Sequence, residues 1–200
     1  EIRLSLVGSE MCIRDRPLIV SCWGSLGARE MNKKIAQFMR CECEDGTPFH
    51  HIHATGSFGW RWMPDYVKEQ GVDLAAHPAL DMREYIYDMP QVLAAADLII
   101  CRAGAATIAE VCASGTPCIM VPSPNVTGNH QEKNARVLED AGAAAVVREA
   151  DCDGRSLYET AKAILSDPER TGGMRTAARG MAVVDAAERI YQTAIELARG

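Results

Sequence analysis

Residues 97–135 read DLIICRAGAATIAEVCASGTPCIMVPSPNVTGNHQEKNA, and this stretch decides the fold. Leu98 to Cys101 is a short unbroken apolar run, the mark of a buried strand. Arg102 to Ala105 is a turn of small residues, and Thr107 opens a segment whose apolar positions, Ile108, Val111 and Cys112, repeat at helical spacing. Gly115 stops that helix, and Pro117 leads into a second apolar run, Cys118 to Val121. Strand, loop, helix and strand form the repeating unit of a parallel α/β sheet. In such sheets ligands lie at the carboxyl ends of the strands, and the unpaired N–H groups that open the following helix favour an anion. A phosphate is expected there.

The flanks repeat the unit. Leu18 to Cys22 reads as a first strand, Trp23 to Gly27 as a glycine-bearing loop, and Met31, Ile35, Phe38 and Met39 as one face of a helix. Phe49 to Thr55 reads as a second strand ended by Gly56, followed by a helix from Pro64 to Gln70 closed by Gly71. A short third strand is expected at Asp73 to Ala76. Tyr85 to Asp88 reads as a loop before a short helix with Asp88 as cap and Pro90 in its first turn. Beyond Val121 come a helix from His130 to Ala141, a strand at Ala144 to Val147, and helices at Arg155 to Ser166 and Val183 to Ala198. The alternation implies a Rossmann-like, doubly wound parallel α/β sheet.

Composition bounds the function. At 200 residues, 48% hydrophobic and 24% charged, the chain fits one domain with a sizeable core. A net charge of -6 argues against a surface that tracks nucleic-acid phosphates. No apolar run reaches the ~20 residues that span a bilayer, so any membrane contact is expected to be peripheral or made by chain absent from this sequence. Of the eight cysteines, Cys101, Cys112 and Cys118 fall in or beside apolar elements, where cysteine acts as a small hydrophobe, and a reduced compartment is the simpler reading. Cys41 and Cys43 with His50, His51 and His53 lack zinc-finger spacing and read as a surface loop running into a strand.

Three motifs carry a resemblance. CRAGAATIAE followed by PxxP and NHQEKNA, GSLGAR at Gly24 to Arg29, and REYIYDM at Arg83 to Met89 resemble the donor half of MurG-type N-acetylglucosaminyltransferases. The likeness runs from Pro17 to about Ala198. Residues 1–16, EIRLSLVGSEMCIRDR, do not share it and look like adapter- or vector-derived sequence, so the fold is expected to start near Pro17. The resemblance implies one half of a two-domain GT-B type glycosyltransferase, with residues 17–200 as the C-terminal, UDP-N-acetylglucosamine-binding domain. The acceptor domain, the general base and the membrane-binding surface would then lie upstream, and this chain alone would be inactive.

The resemblance also assigns residues. Thr107 and Glu110 by themselves fit either a ligand site or a capping box, Thr-x-x-Glu, that satisfies its own helix. The family places the donors of Ala105, Ala106 and Thr107 on the UDP diphosphate, with Ile108 and Ala109 continuing the binding segment and Glu110 on the ribose hydroxyls. Ser25 would contact the donor. It is not a nucleophile elbow, because position 23 is Trp where that motif needs Gly. Family members commonly carry glycine at that position. Ile86, a core residue on its apolar character alone, would present its backbone to the uracil edge with Met89 nearby. Gln131 would reach the transferred sugar with His130 beside it, whereas both otherwise read as an exposed helix start capped by Asn129. Asp151-Cys152-Asp153, a possible metal motif in another transferase class, reads as a solvated loop.

The implied reaction moves N-acetylglucosamine from UDP to a lipid-linked muramoyl-pentapeptide with inversion, at the cytoplasmic side of the bacterial plasma membrane. No metal or other cofactor is required where a helix N-terminus meets the charge that grows on the diphosphate. Two alternatives stand beside it: another UDP-sugar transferase of the same two-domain fold, and a non-catalytic donor-binding subunit.

Overall fold

The computed structural model describes residues 16–199, so the segment expected to be foreign lies, but for Arg16, outside the described residues. Six parallel strands form one sheet: β1 (Leu18–Cys22), β2 (His50–Ala54), β3 (Leu80–Arg83), β4 (Leu98–Cys101), β5 (Cys118–Met120) and β6 (Ala144–Val146). Their order is β3-β2-β1-β4-β5-β6, that of the Rossmann fold. The helices longer than one turn are α1 (Arg29–Glu44), α2 (Met63–Glu69), α3 (Met89–Ala95), α4 (Ala105–Ser114), α5 (His130–Asp140), α6 (Gly154–Leu165), α7 (Pro168–Gly180) and α8 (Ala186–Arg199).

Side-chain alternation explains the double winding. Ile19, Ile100 and Ile119 point to one face, where they meet Met31, Ile35 and Phe38 of α1 and Leu157 and Ile164 of α6. Val20, Ile99 and Met120 point to the other, against Val92 and Leu93 of α3, Val111 of α4 and Leu138 of α5. The centre of the sheet is therefore buried on both faces, which is why β1, β4 and β5 read as apolar runs. Cys101, Cys112 and Cys118 belong to the second cluster, and the seven described cysteines are all free.

Three expectations need correction. The third strand is Leu80–Arg83, not Asp73 to Ala76. Residues 73–76 form turns in which Asp73 accepts from the Ala75 N–H through its side chain and from the Ala76 N–H through its carbonyl. The true strand is an edge strand, and Arg83 pairs with Asp81 two residues away. A helix at Pro168–Gly180 went unread because Gly172 and Gly173 interrupt it, yet Asp167 caps it by accepting from the Arg170 N–H at 2.9 Å and Met174 and Ala178 bury one face. Cys41 and Cys43 do not lie in a surface loop but on α1, while the three histidines lie, as expected, on a strand, the buried β2.

Two glycines lock the loops after β1 and β2 together. Gly27 and Gly56 both take positive φ, 81° and 74°. A Cβ on Gly27 would fall 2.0 Å from the Thr55 carbonyl oxygen, and one on Gly56 2.1 Å from the Gly27 nitrogen. The interlock is stitched by Ser57 N–H donating to the Ser25 carbonyl at 3.0 Å and by Asn32 Nδ2 donating to the Thr55 carbonyl at 2.8 Å. Ser25 is thus held on a backbone fixed from two sides.

Candidate nucleotide-sugar site

At the carboxyl ends of β1 and β4 lies a cavity of about 390 Å³. Its wall includes Ser25, Ile86, Met89, Ala106, Thr107, Glu110 and Gln131, brought together from four separate loops and helix starts. Along the sheet edge Ile86 follows β3, Ser25 follows β1, Thr107 follows β4 and Gln131 follows β5, so the residues are spread in strand order. Four other expected residues do not line it. Ala105 is the exposed first residue of α4, Ile108 packs against the core, Ala109 is exposed, and His130 is exposed with Nδ1 3.0 Å from the Thr127 carbonyl.

The opening of α4 leaves backbone donors unpaired. Its N-cap is Gly104, with no side-chain cap, and the first helical bond runs from the Ile108 N–H to the Gly104 carbonyl at 2.9 Å. The N–H groups of Ala105, Ala106 and Thr107 therefore have no acceptor among the described residues. The capping box is not formed, because α4 starts two residues before Thr107 and places it inside the first turn. Thr107 and Glu110 are left available to a ligand.

Gln131 is half committed. Its Oε1 accepts from the Ser123 N–H at 2.9 Å, which steadies the loop after β5 and leaves the amide N–H donors for a ligand. Asn134, one turn on, donates to the Ala103 carbonyl at 3.3 Å and ties α5 to the turn after β4. Asn129 does not cap α5 and instead donates to Glu132 at 2.7 Å. Asp153 caps α6 through a reciprocal pair with Ser156, so its carboxylate has a structural task.

Trp23, Tyr85 and Arg102, to which the sequence assigned no ligand role, also line the cavity. For Arg102 a signal was present: a cation directly after a buried strand stands at the ligand edge of a parallel sheet.

The histidines of β2 form a different constellation. Glu42 Oε2 lies 2.8 Å from His51 Nδ1, His51 Nε2 lies 2.7 Å from Ser21 Oγ, and Ser21 Oγ lies 2.7 Å from His53 Nδ1. One proton arrangement satisfies every contact. His51 donates from Nδ1 to Glu42, Ser21 donates to His51 Nε2, and His53 donates from Nδ1 to Ser21. The order of groups resembles a serine-histidine-acid triad, but Ser21, Glu42, His51 and His53 are each 0% exposed, so no substrate reaches it. Burial, followed by the neighbouring His51 ring, pulls His53 from its usual 6.5 down to about 3. Its Nε2 has no partner among the described residues, so a second ring proton would find no acceptor among them.

Known proteins resemble the chain in sequence and in fold. The UDP-N-acetylglucosamine–N-acetylmuramyl-(pentapeptide) pyrophosphoryl-undecaprenol N-acetylglucosamine transferase of Thermoanaerobacter sp. (strain X514) is 40% identical over 178 residues, 89% of this chain and 48% of that protein. The enzyme of the same name from Salinibacter ruber is 40% identical over 184 residues, 92% of this chain and 47% of its own length. The crystal structure of Acinetobacter baumannii MurG superposes with a TM-score of 0.74 at 27% identity, covering 90% of this chain and 52% of that one. The calicheamicin glycosyltransferase CalG4, at 19% identity and a TM-score of 0.62, shares the fold. The chain spans about half the length of the curated relatives it matches. Residues 18–190 match the sequence model of the glycosyltransferase family 28 C-terminal domain, and the chain belongs to that family.

Proposed function

We propose that the cavity binds UDP-N-acetylglucosamine and that the chain is the donor-binding half of an inverting transferase that glycosylates a lipid-linked muramoyl-pentapeptide at the cytoplasmic face of the membrane. The observation that carries the reading is the uncapped start of α4, which brings the unpaired N–H groups of Ala106 and Thr107 into one cavity with Glu110. Uracil would lie at Ile86, ribose at Glu110, the diphosphate on α4 and the sugar at Gln131. As the acceptor hydroxyl attacks the anomeric carbon, the bond to the diphosphate breaks and its electrons pass to a group already facing the positive end of a helix. The hydroxyl proton needs a base. Glu110 is the one carboxylate among the cavity's described lining residues, and no histidine joins it. With Glu110 engaged on ribose, the base belongs to a surface that faces the cavity from outside this domain. No helix among the described residues is long and apolar enough to cross a membrane, in keeping with peripheral attachment.

Calorimetry with UDP in excess chelator tests the reading, with binding expected to persist. Glu110→Ala should weaken UDP binding by about 1–2 kcal/mol, since it removes a charged acceptor from ribose hydroxyls. Its melting temperature should hardly move, because Glu110 makes no capping bond. Normal UDP affinity in this variant would remove Glu110 from the site. Gln131→Ala should lower affinity for UDP-N-acetylglucosamine several-fold more than for UDP, and equal losses would count against its placement at the sugar.

A further inference from the structure

The cavity has an electrostatic problem that α4 does not solve alone. A helix start offers about half an elementary charge, while a nucleoside diphosphate brings two or more negative charges into a space that already holds Glu110. Arg102 is the one cation among the described lining residues. It closes the β4 edge beside the start of α4, and its side chain is 14% exposed.

Its anchoring leaves donors to spare. Nη1 donates to the carbonyls of Val121 at 3.0 Å and Pro122 at 3.2 Å, and Glu149 Oε2 lies 2.6 Å from the same nitrogen. The N–H groups on Nε and Nη2 have no partner among the described residues. The guanidinium lies over the indole of Trp23, Cζ 5.6 Å from the ring centroid, and Trp23 is only 4% exposed. Glu149 lines not this cavity but a neighbouring one of about 530 Å³. One nitrogen is thus tied to the protein and one face is fixed by an aromatic ring, while Arg102 itself borders the cavity with the other donors of its fork unpaired.

Strand order sets its place along the ligand. Ile86 follows β3 and Arg102 follows β4, three strand spacings away, or about 14 Å. That separation suits a base at one end and a distal phosphate at the other. Building on the donor-site reading above, we propose that Arg102 binds the distal phosphate of the nucleoside diphosphate, with Trp23 and Glu149 as its positioning residues. The cavity then selects diphosphates over monophosphates, and the same contact steadies the leaving group.

The test is a titration of the 200-residue chain and its variants with uridine, UMP and UDP. Arg102→Met should lower UDP affinity about tenfold or more, as expected for loss of a charge-assisted contact, and UMP affinity by less than about threefold. Arg102→Lys keeps a charge without the fork and should fall between. Trp23→Leu should erode the preference for UDP over UMP, whereas Trp23→Phe, which retains an aromatic face, should keep most of it. If Arg102→Met does not fold, the lysine variant and the Trp23 pair give the same readout. Equal losses for all three ligands, or an unchanged UDP-to-UMP ratio, would overturn the proposal. Wild-type chain that binds UDP as expected while Arg102→Met matches it removes this inference alone, and wild-type chain that binds none of the three removes the donor site and the inference together.

Discussion

Gly27→Ala is expected to cost about 3 kcal/mol or more of folding stability, far beyond the ordinary penalty for an alanine at positive φ. The control lies three residues away. Gly24 has a similar φ of 79°, but a Cβ there meets nothing within 4 Å, so Gly24→Ala should cost only about 1–2 kcal/mol. At Gly27 the added carbon would overlap the Thr55 carbonyl at 2.0 Å, and the obstacle is backbone, which has no rotamer to escape into. Relief requires the loops after β1 and β2 to part, breaking the bonds from Ser57 to Ser25 and from Asn32 to Thr55. Urea unfolding of the two variants measures the difference. Similar midpoints would show that the loops are not locked as described.

Acid should destabilise the protein through His53, and replacing that residue should remove the effect. The folded state keeps the ring neutral down to about 3, whereas an unfolded histidine takes up a proton below about 6.5. The unfolded state therefore binds more protons between those values. Stability is fully present above pH 6.5 and falls by about 1.4 kcal/mol per unit below it, reaching a loss of about 3 kcal/mol at pH 4. His53→Asn cannot titrate, and its amide can still face Ser21. The gap between wild type and variant, followed by urea unfolding from pH 7.5 to pH 4, should change by that amount, because carboxylate titrations are common to both. Parallel curves would mean that His53 takes up its proton over the same pH range folded and unfolded.

The alternating strand and helix pattern carried the architecture because a sheet covered on both faces writes itself as apolar runs. Leu18 to Cys22 and Leu98 to Cys101 fall on their observed boundaries for that reason. Leu80–Arg83 escaped because an edge strand of four residues, with Asp81 and Arg83 paired in partial exposure, lacks such a run. Pro168–Gly180 escaped because glycines mask a helix secured by its cap and by two buried contacts. At the site, the strand-turn-helix at residues 98–112 was readable, and the motif resemblance supplied Ser25, Ile86 and Gln131. What local reading could not supply was juxtaposition. Trp23 and Arg102 come from strands adjacent in space but about eighty residues apart in sequence, and neither residue alone signals a stacked pair.

The buried free cysteines make the chain a clock for its own opening. Burial lifts the Cys118 thiol to about 12 and the Cys101 thiol well above its usual 9.0. At pH 8 a thiol at about 12 is ionised in roughly one molecule in ten thousand, and alkylating reagents consume only the thiolate. Labelling at these positions must wait until the sheet parts and ordinary thiol acidity returns. Its rate therefore reports how often the centre of the sheet opens, with no probe added to the sequence.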